Sequence, residues 1–372
     1  MAKSGSRIRI DDDGQLEIVD PGFDSLELLQ AVDADFRIRR SSLASFTSPR
    51  FLKLQNAGCG ILSEQLNGLT EDQLWTSHAA AVETWRGGAL RLRGAGEASV
   101  FDLKIELCRR VLSTCRLCAH RCEVNRTIGE MGICQLGVQA IVAEHFVHIA
   151  EESPINPSLV LNLAGCSLRC RFCQQASLLF PSSVLGEQLD TGLWERLDLE
   201  GARSLSFVGG NPDESLYAIL NFLASAPRFW ELPVVWNSHG YASPETLVLL
   251  EGVIDAYVPD FKYGDEQCGQ RLSAILCYPA TAKAAIVAML AQGVPVIVRI
   301  LVLPGHFDCC HRPALDFLAA LPQRSLFVSV RGQYCPDWRI TQKDGPLARR
   351  VTPDELDAVR DRAIALHINL MD

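Results

Sequence analysis

Cys166, Cys170 and Cys173 stand at C-x3-C-x2-C spacing in the run Cys166-Ser167-Leu168-Arg169-Cys170-Arg171-Phe172-Cys173. The run follows the apolar stretch Leu159-Val160-Leu161-Asn162-Leu163. One tight loop at this spacing can present three thiolates to one face of an iron–sulfur cluster, whose usual ligands are cysteine thiolates. Three cysteines on a four-iron cluster leave one iron open, and an open iron is where chemistry can occur. The competing reading is a zinc knuckle. Zinc in a closed structural site takes a fourth protein ligand, and no cysteine follows Cys173 until Cys268.

A second group lies upstream, Cys115-x2-Cys118-x3-Cys122-x11-Cys134. Four thiolates at knuckle-like spacing suit either zinc or a further iron–sulfur cluster, and the spacing does not choose between them. A single zinc would draw the four sulfurs to within about 4 Å of one another. His120, inside the group, is an additional ligand candidate. Cys268, Cys277, Cys309, Cys310 and Cys335 share no spacing and read as small packed residues. The vicinal pair Cys309-Cys310 stands out among them.

The 372 residues carry a net charge of −9, which gives no support to binding nucleic acid or an acidic membrane. No apolar run reaches the length of a membrane span, and the first residues lack an apolar signal core, so a cytoplasmic location is expected. Eight of the fourteen cysteines fall between Cys108 and Cys173. Such clustering in a large chain without a signal core reads as metal ligation rather than a disulfide frame.

The elements that must position these residues follow from periodicity. Short β-rich runs at 159–163, 204–208, 233–237, 254–258, 295–302 and 325–331 alternate with helical runs at 214–226, 244–250, 281–292 and 313–321. Residues 185–199 can supply a helix, and Thr352 caps a final helix at 353–366. Strand–helix alternation implies a parallel sheet with right-handed crossovers. A doubly wound sheet is the alternative arrangement. Residues 1–105 form an N-terminal extension with helical spacing at 25–32 and 71–86 and a turn at 11–14, 106–150 the four-cysteine segment, and 151–372 the main α/β domain.

The triplet, with Phe172 just before its last cysteine, resembles the signature of the radical S-adenosylmethionine superfamily. Together with the Cys115–Cys134 segment and Val258-Pro259-Asp260-Phe261-Lys262-Tyr263, it resembles the uncharacterised PflX-like branch related to the pyruvate formate-lyase activating enzyme. The resemblance covers about residues 108–335 and not 1–105. It implies a partial (β/α)6 TIM-like barrel and an oxidoreductase. It also implies a 4Fe-4S cluster on Cys166, Cys170 and Cys173, with S-adenosyl-L-methionine on the open iron. Reductive cleavage to a 5′-deoxyadenosyl radical and hydrogen abstraction from a substrate would follow. The electron donor would be a flavodoxin or ferredoxin, and the substrate a small molecule or a peptide.

Functional residues of such barrels gather at the C-terminal ends of the strands. Gly209-Gly210-Asn211-Pro212 resembles the family's Gly-Gly-Glu-Pro motif, with Asn211 where the family has an acid. The resemblance assigns the nucleotide to Phe172, Gly209, Gly210, Asn211, Asn237, Ser238, Asp260, Lys262 and Arg299. Arg299, inside an apolar strand, is expected to turn its fork toward the methionine carboxylate. His239 is either a proton relay or a loop histidine held by the backbone. Two other functions remain open: a protein-activating or peptide-modifying enzyme, and a non-catalytic metal scaffold or redox sensor built on both cysteine groups.

Overall fold

The computed structural model describes residues 8–10, 16–18, 49–88 and 91–371. The chain divides into two units, Met1–Ser45 and Phe46–Asp372. Within the first, β1 (Ile8–Ile10) and β2 (Leu16–Ile18) pair antiparallel with Ile8 opposite Ile18. The expected turn at 11–14 and helix at 25–32 lie outside the described residues.

The boundary therefore falls near residue 45 rather than 105. Residues 50–99 are stitched into the second unit by polar contacts. The Arg50 backbone N–H donates to Asp255 Oδ1 at 3.1 Å, Gln55 Nε2 donates to the Leu223 carbonyl at 2.8 Å, and Arg86 pairs with Glu251 at 2.6 Å. This part holds α1 (Arg50–Asn56), the antiparallel pair β3 (Gly58–Leu62) and β4 (Glu97–Ser99), and α2 (Glu71–Arg86). The α2 bounds match the helical spacing of the sequence, and Thr70 with Gln73 forms a capping box at its start. Next comes α3 (Val100–Ser113), capped by Ser99 and Asp102, which buries Leu103, Leu107, Cys108 and Val111 and leads into the upstream cysteines.

Eight strands form one sheet in the order β12-β11-β10-β9-β8-β6-β5-β7. Six of them are parallel to their neighbours and follow chain order: β6 (Ser158–Leu163), β8 (Ser204–Gly209), β9 (Val234–Ser238), β10 (Ala256–Pro259), β11 (Val296–Leu301) and β12 (Leu326–Arg331). No reversal of order interrupts them, so the doubly wound alternative is not what forms. β5 (Ile141–His148) and β7 (Glu187–Gln188) extend the sheet antiparallel beyond β6.

The crossovers carry α4 (Leu216–Ala224), α5 (Pro244–Leu250), α6 (Glu266–Ser273), α7 (Tyr278–Ala291) and α8 (Arg312–Ala319), and α9 (Pro353–Ala365) follows β12. All six β6 residues are buried, as are the four of β10, which explains their continuous apolar runs. The helix expected at 185–199 does not form. The chain there adds β7 to the sheet edge and makes one 3-10 turn, Thr191–Glu195, capped by Asp190. Trp194 then stacks on Phe222 with ring centroids 4.0 Å apart. Among the described residues no single helix is long and apolar enough to cross a membrane; α6 and α7 pass that test only together and are bent by 102°.

Candidate active site

A cavity of about 440 Å³ opens where the parallel strands end, within the roughly 300–1,000 Å³ range of small-molecule sites. Its wall includes Cys166, Cys170, Phe172 and Cys173 from the loop after β6, Gly209 at the end of β8 with Gly210 and Asn211 just beyond it, and Asn237 and Ser238 from β9. Asp260 and Lys262 join after β10, and Arg299 comes from β11. The structure thus brings twelve residues singled out by strand-end reasoning to one cavity.

The cysteine loop is held by its surroundings. Ser273 Oγ donates to Cys170 Sγ at 2.9 Å, Arg169 N–H donates to the Ser273 carbonyl at 3.0 Å and Arg171 N–H to the Leu272 carbonyl at 2.8 Å. Leu168 N–H points at Cys166 Sγ at 3.4 Å. Burial, then the Glu214 carboxylate and the neighbouring thiolates, push Cys166 well above the ordinary thiol range. Burial and Cys170 push Cys173 up to about 11. No three donor atoms in this loop lie within 4.8 Å of one another. A single tetrahedral zinc needs sulfurs about 3.8 Å apart, a spacing these three thiols as placed do not all share. No disulfide forms among the fourteen cysteines.

The glycine pair serves the chain before any ligand. Gly209 is left-handed at φ 103°, and a Cβ there would lie 2.3 Å from the Leu163 nitrogen. A Cβ on Gly210 would lie 2.1 Å from the Gly165 carbonyl oxygen, and Gly210 N–H donates to the Leu163 carbonyl at 2.7 Å. Only glycine lets the ends of β6 and β8 touch there, which sets the cysteine loop beside Asn211.

Asn211 is fully engaged within the protein. Its Oδ1 accepts the His239 N–H at 3.0 Å and its Nδ2 donates to Glu214 Oε2 at 2.6 Å. Glu214 is the carboxylate that sequence reasoning missed. It is 1% exposed, its Oε1 accepts the Ser167 N–H at 3.1 Å, and His239 Nε2 lies 3.4 Å from the same oxygen. Burial opposes its charge, but His239, Ser167 and Asn211 outweigh that and hold its pKa below the ordinary value. His239 accepts the Tyr241 N–H on Nδ1 at 3.1 Å and meets Ser167 Oγ through Nε2 at 3.1 Å, so it braces the loop. Asn162, on β6 and in the wall of the same cavity, donates to Glu144 at 2.8 Å, while its Oδ1 is buried and unpartnered.

One charged residue is placed differently from expectation. Arg299 does not hold its fork open for a ligand carboxylate. Its Nε donates to Glu152 Oε1 at 2.8 Å, its Nη2 to Glu152 Oε2 at 2.6 Å and also to Glu151. Glu152 is 0% exposed and takes Arg331 as well at 2.7 Å. A buried guanidinium needs such a partner, and the pre-strand segment supplies it. Lys262 and Asp260 pair with each other at 2.5 Å on the cavity wall.

The upstream cysteines gather beside this site. Cys115 and Glu123–Val124 exchange backbone bonds at 3.0 and 2.9 Å, and Gly132 leaves room for Cys122 Sγ, which a Cβ would approach to 2.5 Å. Arg126, 2% exposed, reaches Cys115 Sγ at 3.9 Å and donates to the Glu214 carbonyl at 2.8 Å. No three of Cys115, Cys118, Cys122 and Cys134 come within 4.8 Å of one another, so the expectation of a zinc-tight set about 4 Å across is corrected. His120 turns away from it and donates to the Ser167 carbonyl at 2.9 Å.

A search of curated proteins finds the uncharacterized protein MJ0674 of Methanocaldococcus jannaschii, 30% identical over 319 residues, which span 83% of this chain and 92% of that one. The chain belongs to the MJ0674 family. No family model matches it. Solved structures overlap the chain less fully. Streptococcus suis SuiB bound to S-adenosylmethionine superposes with a TM-score of 0.40 at 14% identity, over 55% of this chain and 47% of that one. SuiB bound to the precursor peptide SuiA gives a TM-score of 0.40 at 14% identity, over 55% and 46%. The chain thus spans about half the length of SuiB.

Proposed function

We propose that the protein is a radical S-adenosylmethionine oxidoreductase, with a 4Fe-4S cluster on Cys166, Cys170 and Cys173 and the six parallel strands as a partial (β/α)6 barrel around it. The observation that carries this reading is the meeting of three unpaired thiols with the Gly209-Gly210-Asn211 turn in one cavity. When bound, the cluster would supply the electron that cleaves S-adenosyl-L-methionine to a 5′-deoxyadenosyl radical. The residues of the chain would do the rest. The backbone of Gly209 and Gly210 lines the space where a nucleotide with an ammonium group would bind. Phe172, packed edge-on against Tyr263 and Tyr334, gives that space an apolar wall and keeps water from it. Asn237, Ser238 and the Asp260–Lys262 pair supply the polar contacts across the cavity.

Anaerobic reconstitution with iron and sulfide, followed by reduction in the presence of S-adenosylmethionine, should yield 5′-deoxyadenosine from the wild-type chain and none from Cys166→Ala/Cys170→Ala/Cys173→Ala. Equal yields from both proteins would refute the assignment of the cluster to this loop.

A further inference from the structure

Away from the cavity, three donor atoms that share no sequence motif meet. Cys268 lies in the first turn of α6, where its N–H donates to Asp265 Oδ1 at 2.8 Å. His306 and Cys309 come from the segment after β11. Their ligand atoms all lie within 4.8 Å of one another, the one such trio of Cys, His, Asp and Glu among the described residues. The sulfurs of Cys268 and Cys309 are 3.9 Å apart, and Cys310 Sγ is 3.7 Å from Cys309 Sγ. A tetrahedral zinc with Zn–S bonds of about 2.3 Å sets its thiolates about 3.8 Å apart.

The histidine is already prepared. Its Nδ1 lies 2.8 Å from the Pro304 carbonyl, which can only accept, so Nδ1 carries the proton and Nε2 keeps its lone pair. A second ring nitrogen bonded to a backbone carbonyl is the usual support of a metal-bound histidine. Arg271 Nη2 donates to Nε2 at 3.3 Å, but Arg271 is exposed and free to swing into solvent. Cys268 and His306 are each 6% exposed and Cys310 is 1% exposed, with no disulfide among them.

We infer that Cys268, His306 and Cys309 bind one zinc ion as a structural clasp separate from both other cysteine groups, with Cys310, outside that tight set but 3.7 Å from Cys309 Sγ, as the thiol available to close the fourth position. Binding converts the three thiols to thiolates and releases their protons to solvent. The clasp ties the first turn of α6 to the segment after β11. The last turn of the same helix holds the Cys170 loop through Ser273 and Leu272. The metal would thereby fix the helix on which that loop rests, a positioning role that does not depend on the chemistry proposed for the cavity.

The test uses the full chain, reduced and stripped of metal, with zinc alone as the probe. Alkylation of each cysteine is followed by peptide mass spectrometry, with exposed Cys277 as the internal control. Zinc should abolish alkylation of Cys268, Cys309 and Cys310 while Cys277 continues to react, and His306→Ala should lose that protection together with one bound zinc per chain. Equal alkylation of Cys268 and Cys309 with and without zinc in the wild-type chain would overturn the inference, and this comparison needs no variant to fold. Protection that survives His306→Ala would overturn the ligand set.

Discussion

Ser273 Oγ donates a hydrogen bond to Cys170 Sγ at 2.9 Å, and the phenol of Tyr263 lies 2.6 Å from the same Oγ. A side chain from a different crossover thus reaches the central cysteine of the loop. A hydrogen bond to a cluster thiolate stabilises the reduced, more negative state. Ser273→Ala should keep the iron content and lower the reduction potential. A net bond of about 1 kcal/mol corresponds to a shift on the order of 40 mV for one electron. Redox titration of the reconstituted variant checks this; an unchanged potential would show that the bond does not reach the cluster.

Gly210 and Gly68 form a matched pair. A Cβ on Gly210 meets the Gly165 carbonyl oxygen at 2.1 Å, whereas one on Gly68 meets nothing within 4 Å. The obstacle at Gly210 is backbone, which cannot rotate away. Gly210→Ala should destabilise by about 1–3 kcal/mol and reduce iron uptake by the adjoining cysteine loop. Gly68→Ala should change neither. Urea melts and iron counts on the two variants separate a local clash from a general intolerance of alanine.

The Arg299–Glu152–Arg331 group fixes a pH dependence. Burial alone would raise the Glu152 pKa, but Arg299 and Arg331 outweigh it and hold the carboxyl at about 2, against an ordinary value of 4.5. The unfolded chain takes up this proton at higher pH than the folded one. The stabilisation is therefore complete above about pH 4.5 and is lost as pH falls toward 2. Glu152→Gln leaves two guanidinium groups short of a partner and should lower stability by about 3–5 kcal/mol near neutral pH. The gap between variant and wild type should narrow below pH 4.5. A gap independent of pH would assign the loss to packing.

What the sequence made legible was local. Cys166, Cys170 and Cys173 sit on one loop, and the residues beside them occupy successive strand ends, so spacing and strand order place them together. Asn211 and Arg299 do line the cavity, but the groups they bind are the protein's own: His239 and Glu214 for Asn211, Glu151 and Glu152 for Arg299. Glu214 lies three residues past Asn211 and was absorbed into a helical run; its position next to Asp213 after Gly-Gly-Asn-Pro was the available signal. Glu152 sits in a pre-strand segment with no pattern of its own. The Cys268–His306–Cys309 trio joins two crossovers far apart in the chain, and no spacing rule could have assembled it. The helix expected at 185–199 failed because edge pairing with β5 and the stacking of Trp194 on Phe222 override a weak helical period.

The most direct test of the central claim is electron paramagnetic resonance of the reduced, reconstituted chain in which Cys115, Cys118, Cys122 and Cys134 are replaced by alanine, recorded with and without S-adenosylmethionine. The account expects a four-iron signal whose g-values shift when the nucleotide is added, and the loss of that signal when Cys170 is also replaced. A four-iron signal that S-adenosylmethionine leaves unchanged would contradict it.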